Sequence, residues 1–336
     1  MQIGKHKTDE KVFIVAEIGN NHEGDFGLAS EMILLAADAG VDAVKFQSIV
    51  PDRLVSHKDK NRINQLARFR LTAEQQLKLS QQAEANGIAF MSTPFDLETV
   101  GFLDSIVPAF KIASGDNDFW PLIDCVTQTG KPLIISMGLA QTNDAQSVID
   151  FVEASAGGHG ISTPEIALLH CVASYPTPPE QAGISGIAQL ARFGVTVGYS
   201  DHTMGVRAVE LAVAAGARII EKHFTIDNNH SEFRDHKLSA DPEEMKALVK
   251  SVREIEVMMG GKDVFVQPCE LANEKPMRRS ISANRNISAG EIVQEKDLCW
   301  LRPRRGLKPG KEDFVCGQKL TKPIAYGEPF TLEHFE

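Results

Sequence analysis

The chain has 336 residues, of which 43% are hydrophobic and 24% charged, and its formal net charge is −10. This composition is typical of a globular protein, and the acidic balance argues against nucleic acid or an anionic membrane as the main partner. The five widely spaced cysteines indicate neither a disulfide framework nor a zinc ribbon, and without a signal-peptide pattern or a transmembrane-length apolar run we expect a cytoplasmic protein.

Strand-like and helix-like segments alternate from Val12 to about Gly260. Eight short apolar runs are predicted as strands, at 12–18, 43–48, 88–94, 109–114, 132–136, 165–171, 195–197 and 217–220. Eight strand–helix units in about 250 residues predict an α/β fold, a (β/α)8 TIM barrel. An open doubly wound sheet is the alternative, but no G-x-G-x-x-G follows the first strand.

Local signals mark several of the helices. Apolar residues recur at helical spacing over about 24–39, and a glycine follows them. Thr72 and Gln75 have the spacing of a capping box. The last barrel helix is expected at about 241–259, with a proline and acidic residues in its first turn. The polar segment 51–70 has no strong pattern and is predicted as an irregular loop.

The pattern changes after Gly260. Residues 262–277 are predicted as a linker, because they combine prolines with scattered charge. From 278 to 336, short strand-like pieces alternate with turns, which predicts a small, mostly β domain. A domain of that length is marginally stable alone, so we expect it to dock onto another surface. The expected order is a barrel domain at 1–261, the linker, and the tail domain.

Polar side chains follow every predicted barrel strand. In a barrel of this kind the working residues lie where strands end and loops begin. These positions hold Glu17, Lys45, Gln47, Ser92, Thr93, Lys111, Ser114, Ser136, Tyr175, Ser200, His202 and His223. A lysine within a strand, such as Lys45 or Lys111, is costly to bury unless it meets an anion. Together with the neighbouring hydroxyl groups, the two lysines predict a site for a phosphate or a carboxylate.

His202 and His223 follow the seventh and eighth predicted strands. Neighbouring parallel strands would place the two imidazoles side by side, as a divalent-metal site, although one packing histidine and one loop histidine are the alternative. A metal held by two imidazoles keeps open positions and can polarise a carbonyl. Glu17, Asp116 and Asp235 are candidates for proton transfer or for holding hydroxyl groups, and the sequence around Asp116 also has the composition of a turn.

Seven motifs in chain order resemble the sialic acid synthase family, whose members are nonulosonate synthases. The motifs lie at 16–25, 44–47, 92–95, 110–115, 175–178, 198–203 and 221–225. The tail at 278–336 resembles the antifreeze-like (SAF) domain that follows the barrel in that family. The resemblance implies an N-acetylneuraminate synthase-like transferase, which condenses phosphoenolpyruvate with an N-acylated hexosamine. The products would be a nine-carbon 2-keto sugar acid and phosphate, released through C–O cleavage.

The resemblance also implies a role for each residue. A divalent metal, Mn²⁺ or alternatively Mg²⁺ or Co²⁺, would be held by His202 and His223. Phosphoenolpyruvate would be held by Lys45, Thr93, Lys111, Ser114, Ser136 and Ser200. The sugar or the reacting centre would be faced by Glu17, Gln47, Tyr175 and Asp235. Arg302 resembles an arginine that the tail domain reaches into the neighbouring subunit of a homodimer, so that each tail caps the other barrel.

In the implied reaction, the aldehyde oxygen of the open-chain sugar is polarised by the metal, and the enol carbon of phosphoenolpyruvate attacks the aldehyde carbon. Positive charge develops at the former enol centre, water adds there, and phosphate leaves. Glu17 is the carboxylate expected to steady this cation or to take a proton.

The sugar-contacting positions differ most from the family pattern. Asp116 stands where members commonly have glutamate, which is one methylene longer. Asn61 and Asn64 are both candidates for the family's sugar-contacting asparagine.

The sequence leaves the acylated sugar open between N-acetylmannosamine and a diacetamido-trideoxyhexose. Residues 1–4 and 301–307 resemble pseudaminate-type members, whereas 198–203 and 235–237 resemble legionaminate- and neuraminate-type members. A rival enzyme is a 3-deoxy-sugar-acid phosphate synthase that acts on a phosphorylated aldose, and the tail domain argues against it. A non-catalytic sugar-binding protein on the same fold is the remaining alternative.

Overall fold

The structure is a computed structural model that describes residues 1–261 and 263–335. It contains two compact units, Met1–Gly260 and Gly261–Glu336. The predicted linker at 262–277 contains a helix, Leu271–Met277, in its described part.

The first unit is built on eight parallel strands, counted here in chain order. They are Phe13–Gly19, Ala43–Ser48, Ala89–Pro94, Phe110–Ile112, Leu133–Ser136, Ile166–Cys171, Thr196–Asp201 and Ile219–His223. The hydrogen-bonded order is third, second, first, eighth, seventh, sixth, fifth, fourth. The third and fourth strands also pack side by side, so the sheet has the shape of a barrel. The predicted TIM-like barrel is therefore confirmed.

The helices surround this sheet. In the first unit they are Phe26–Ala39, Pro51–Leu54, Lys60–Phe69, Ala73–Ala85, Leu97–Leu103, Trp120–Thr127, Thr142–His159, Gly186–Leu190, Arg207–Ala214 and Pro242–Met259. The capping box of Thr72 and Gln75 is present, and Gly40 ends the first helix in the left-handed region that favours glycine. No helix among the described residues is both long and apolar enough to cross a membrane.

The prediction of an irregular loop at 51–70 was wrong. This segment forms the helices Pro51–Leu54 and Lys60–Phe69. The Asp59 side chain caps the second of them by accepting a hydrogen bond from the backbone N–H of Arg62. Its buried apolar side chains, chiefly Leu66 and Phe69, are too few to give a clear helical period in the sequence.

An N-terminal hairpin, which the sequence did not predict, lies at the end of the barrel where the strands begin. Its antiparallel strands are Gln2–Ile3 and His6–Lys7. Ile3 is buried among apolar side chains that fill the barrel interior, including Phe13 at the start of the first strand. The polar interior is therefore confined to the carboxyl ends of the strands.

The second unit has antiparallel strands, Ser280–Ala283 and Leu298–Leu301, as expected for a small β domain. Isolated bridges join Ser282 to Pro329, Ile287 to Ile324 and Ile292 to Lys319. Its own small core consists of Ile281, Ala283, Ile287, Val293, Leu298, Val315, Leu320, Ile324 and Phe330.

Candidate active site

A cavity of about 760 Å³ opens at the carboxyl ends of the barrel strands. The predicted site residues that line it are Glu17, Lys45, Gln47, Thr93, Lys111, Ser114, Ser136, Tyr175, Ser200, His202, His223 and Asp235. The structure thus brings together side chains from every strand of the barrel or from the loop that follows it.

The sheet register explains why the charged side chains meet. Glu17 of the first strand is paired with Lys45 of the second strand and with His223 of the eighth. Glu221 of the eighth strand is paired with Ser200 of the seventh. Because side chains alternate along a strand, Glu221 and His223 face the interior together.

Two buried lysines form the floor of the cavity. Lys45 and Lys111 are 3% and 2% exposed. The ammonium nitrogen of Lys45 lies 2.8 Å from Glu17 Oε2 and donates to Thr93 Oγ1 at 3.1 Å. The ammonium group of Lys111 donates to Ser136 Oγ at 2.6 Å and to a backbone carbonyl at 2.8 Å. These ammonium groups are positioned to receive an anion together with the hydroxyl groups.

Glu221 is a central residue of the floor that the sequence analysis did not single out. Its carboxylate accepts a hydrogen bond from Ser200 Oγ at 2.7 Å. It also lies 3.6 Å from the ammonium of Lys45 and 3.9 Å from that of Lys111. Its position two residues before His223, on the same face of one strand, was the available signal.

The two floor carboxylates have different proton affinities. Burial raises the pKa of Glu17, and the nearby Lys45 ammonium offsets this only in part. Burial also opposes ionisation of Glu221, but the ammonium groups of Lys111 and Lys45 outweigh it and hold the pKa of Glu221 at about 2. A carboxyl group that can take up a proton and one that stays anionic therefore lie in one site.

The two histidines lie together beside this floor, with ring centroids 5.4 Å apart. His202 Nδ1 donates to the carbonyl of Val172 at 2.7 Å, so Nε2 is the nitrogen that would bind a metal. No described residue forms a hydrogen bond with the buried Nδ1 of His223. Burial, and then the neighbouring His202, holds the pKa of His223 well below its usual value, so this imidazole is neutral.

This donor set fits a divalent metal with open coordination positions. A neutral imidazole with an unpartnered buried nitrogen offers a lone pair, and the backbone bond to His202 orients the second imidazole. The described residues contain no group of three or more metal-binding side chains. A metal held here would therefore have two protein ligands, with its other positions left for substrate or water.

The outer wall of the cavity is formed by Tyr175 and the segment that carries Asp235. The Tyr175 ring lies over His202, with centroids 4.1 Å apart. The Arg234 guanidinium carbon is 4.8 Å from the centroid of the Tyr175 ring, and its Nε donates to Asp235 Oδ1 at 3.0 Å. A polar and aromatic wall of this kind suits a sugar.

The helix Lys60–Phe69 contributes lining residues that the sequence analysis missed. They are Arg62, Gln65, Leu66, Arg68 and Phe69. Phe69 packs edge-to-face against Phe233, with ring centroids 5.0 Å apart. Neither Asn61 nor Asn64 is among the described residues that line the cavity. Asn20, also missed, donates to Gln47 Oε1 at 2.8 Å, and Gln47 donates to Glu17 Oε1 at 3.1 Å.

Besides Asn61 and Asn64, three predicted site residues are not among the described residues that line the cavity, namely Ser92, Asp116 and Arg302. Ser92 Oγ instead forms a hydrogen bond with Ser48 Oγ at 2.7 Å. Asp116 belongs to a short 3₁₀ turn, Ser114–Asp116, and burial, together with nearby Asp118, raises its pKa. Arg302 is an exposed residue of the second unit, directly after the strand Leu298–Leu301. Their roles stay predictions.

Comparison with known families matches residues 32–264 to the NeuB family and residues 278–336 to the SAF domain. The N,N'-diacetyllegionaminic acid synthase of Legionella pneumophila is 36% identical, over 96% of this chain and 94% of that protein. The pseudaminic acid synthase of Campylobacter jejuni is 34% identical over 100% of both chains. A solved structure, the N-acetylneuraminic acid (sialic acid) synthetase of Leptospira borgpetersenii, has a TM-score of 0.76 and 32% identity, covering 81% of this chain and 94% of that one.

Proposed function

The chain belongs to the NeuB family, and from this membership we propose that it condenses phosphoenolpyruvate with an N-acylated hexosamine. The products are a nine-carbon 2-keto sugar acid and phosphate. One observation carries the proposal: a single cavity holds two buried ammonium groups beside two imidazoles that are free to bind a metal. The first pair suits the anionic substrate and the second suits the aldehyde of the sugar.

Phosphoenolpyruvate is proposed to lie on the floor of the cavity. Lys45 and Lys111 meet its phosphate and carboxylate groups, and Thr93 and Ser136, which already contact these ammonium groups, turn their hydroxyls to the same anion. Burial opposes the charge of both lysines. At Lys45 the carboxylates of Glu17 and Glu221 outweigh burial and raise the pKa, whereas at Lys111 Glu221 offsets burial only in part and the pKa is lowered.

A divalent metal, Mn²⁺ in the first place, is proposed to be held by His202 and His223. When bound, it would supply Lewis-acid polarisation of the aldehyde oxygen of the sugar. Tyr175 and Asp235 hold the sugar in the open wall of the cavity, so that its aldehyde carbon faces the enol of phosphoenolpyruvate.

The proposed reaction forms a C–C bond, adds water and releases phosphate. The enol carbon forms a bond to the aldehyde carbon, whose oxygen takes a proton from Glu17 to become a hydroxyl group. The positive centre left at the former enol carbon is stabilised by anionic Glu221 and attacked by water. Glu17, whose pKa is raised by burial, takes the proton that this water loses. The C–O bond to phosphate then breaks while the new hydroxyl group passes its proton to the leaving phosphate, which gives a ketone and inorganic phosphate.

A screen for phosphate release tests this function. N-acetylmannosamine, the candidate diacetamido-trideoxyhexoses and phosphorylated aldoses are each incubated with phosphoenolpyruvate and Mn²⁺. We expect release with one acylated hexosamine, and ¹⁸O placed in the bridging oxygen should appear in the phosphate. Release with a phosphorylated aldose alone would favour the rival synthase, and no release with any acylated hexosamine would contradict the proposal.

We further propose that the protein works as a homodimer in which Arg302 of one protomer completes the site of its partner. Exposed apolar side chains in the first part of the second unit offer surface for such an assembly. They include Val264, Phe265, Val266, Leu271 and Met277.

A complementation experiment checks the action of Arg302 across protomers. Arg302→Ala is expected to lose about 10- to 100-fold in kcat/KM, because one charge-assisted contact is removed. When it is refolded together with inactive His223→Ala, activity should return, since a mixed dimer contains one site with both residues intact. If Arg302 instead serves its own barrel, the mixture will stay as inactive as the separate variants.

A further inference from the structure

A fully buried ion pair links the two strands that carry the histidines. The ammonium nitrogen of Lys222 lies 2.8 Å from Asp201 Oδ2, and the two side chains are 1% and 0% exposed. The two residues are register partners in the neighbouring seventh and eighth strands. Each directly precedes a histidine: His202 follows the last residue of the seventh strand, and His223 is the last residue of the eighth.

The ion pair is bonded to the chain on both sides of His202. The ammonium of Lys222 also donates to the backbone carbonyl of Thr203 at 2.5 Å. The second oxygen of Asp201 accepts the backbone N–H of Thr203 at 2.8 Å and the Tyr199 hydroxyl at 3.0 Å. One ammonium group, next to His223, is therefore bonded to both residues that flank His202.

Packing alone does not account for these charges. The neighbouring side chains on this face include the apolar Val197, Ile220 and Phe224, and the ring of Tyr199 belongs to the same core. Removing Asp201 and Lys222 from water is costly, and apolar residues of similar size would fill the same space at less cost. The charged pair lies in this apolar layer, directly before the two histidines in the chain.

We propose that Asp201 and Lys222 are positioning residues that set the spacing of His202 and His223 for the metal, an inference that rests on the proposed function. The parallel ladder between the two strands ends at this pair, so no further ladder bond restrains His202. Metal sites need their ligands within about 0.5 Å of the productive geometry. The bonds from Lys222 to Asp201 and Thr203 hold the segment around His202 against the eighth strand, which carries His223.

The test compares Mn²⁺ affinity with fold stability. In D201N/K222M the asparagine keeps an acceptor for Thr203 and Tyr199, while the buried charges disappear together, so we expect an unfolding temperature within a few degrees of the wild type. Mn²⁺ affinity, read from the electron paramagnetic resonance signal of free Mn²⁺, should fall about 10- to 100-fold. Unchanged affinity would overturn the inference.

Two further variants separate positioning from stability. Leu79→Ala removes a buried side chain on the helix Ala73–Ala85 and should lower the unfolding temperature by several degrees while leaving Mn²⁺ affinity unchanged. An equal loss of affinity in Leu79→Ala would overturn the inference. If D201N/K222M does not fold, Lys222→Arg decides, because it keeps both buried charges and displaces the bonds to Asp201 and Thr203: about fivefold weaker binding supports positioning, and wild-type binding refutes it.

The wild-type protein distinguishes this inference from the proposed function. If the wild type binds Mn²⁺ and the variants bind it equally well, only the positioning role is wrong. If the wild type binds no Mn²⁺, the metal part of the proposed function is contradicted, and the positioning role with it.

Discussion

His223→Ala is expected to lose Mn²⁺ binding and to lower kcat/KM by at least about a thousandfold. His223 is one of two imidazoles at the mouth of the barrel, and its Nδ1 has no hydrogen-bond partner among the described residues. Without it, His202 would be the single protein ligand, which is too few to hold a divalent metal at micromolar concentration. The measurements are Mn²⁺ binding at equilibrium and phosphate release at saturating Mn²⁺.

His170→Gln is the matched control for this variant. His170 also lies on a barrel strand, but its Nε2 contacts the carbonyl of Ala182 at 2.8 Å and its ring stacks on Tyr199, on the side of the helices. A glutamine can keep the contact with Ala182, so binding and turnover should stay close to wild type. Metal-dependent turnover that survives in His223→Ala would refute the assignment of the metal ligands.

The barrel could be predicted because its strands are buried on both sides. The strands are mostly buried and contain short apolar stretches, and the strand Ala43–Ser48 was predicted with its observed bounds. The polar residues that interrupt these runs, such as Lys45 and Lys111, were informative for the same reason. A charge that the apolar pattern cannot explain is typical of a functional site.

The helix Lys60–Phe69 shows why the wall of the cavity could not be predicted. Most of its side chains are polar and exposed, and several of them line the cavity, so only Leu66 and Phe69 report the helical period. The polar residues that line the cavity give no apolar periodicity, and the prediction of a loop here was therefore wrong.

Glu221 illustrates a second limit. Its place beside the histidine was visible in the sequence, but its state depends on Lys45 and Lys111, which are distant in the chain. From the sequence, Glu17 and Glu221 can both be placed near the carboxyl ends of the barrel strands. The opposite pKa shifts of Glu17 and Glu221 depend on which one lies nearer to both ammonium groups, and that requires the fold.

Lys111→Met is expected to raise the KM for phosphoenolpyruvate by about 100-fold, with a smaller loss in kcat. Its ammonium group is buried, and a charge-assisted contact with a bound anion in such a place contributes about 2–3 kcal/mol. Methionine has a similar length and fills the space, so the barrel should stay folded. Initial rates are measured while phosphoenolpyruvate and the sugar are varied separately.

The separate variation of the two substrates tests the division of the cavity into two halves. In Lys111→Met the KM for the sugar should change by less than about threefold, because the imidazoles and Tyr175 are untouched. Lys131→Met is the control, since the ammonium of this partly exposed lysine contacts Asp104 and the Val107 carbonyl outside the cavity lining. It should leave both KM values unchanged. A rise in the sugar KM alone would place the sugar, and not phosphoenolpyruvate, on the lysine floor.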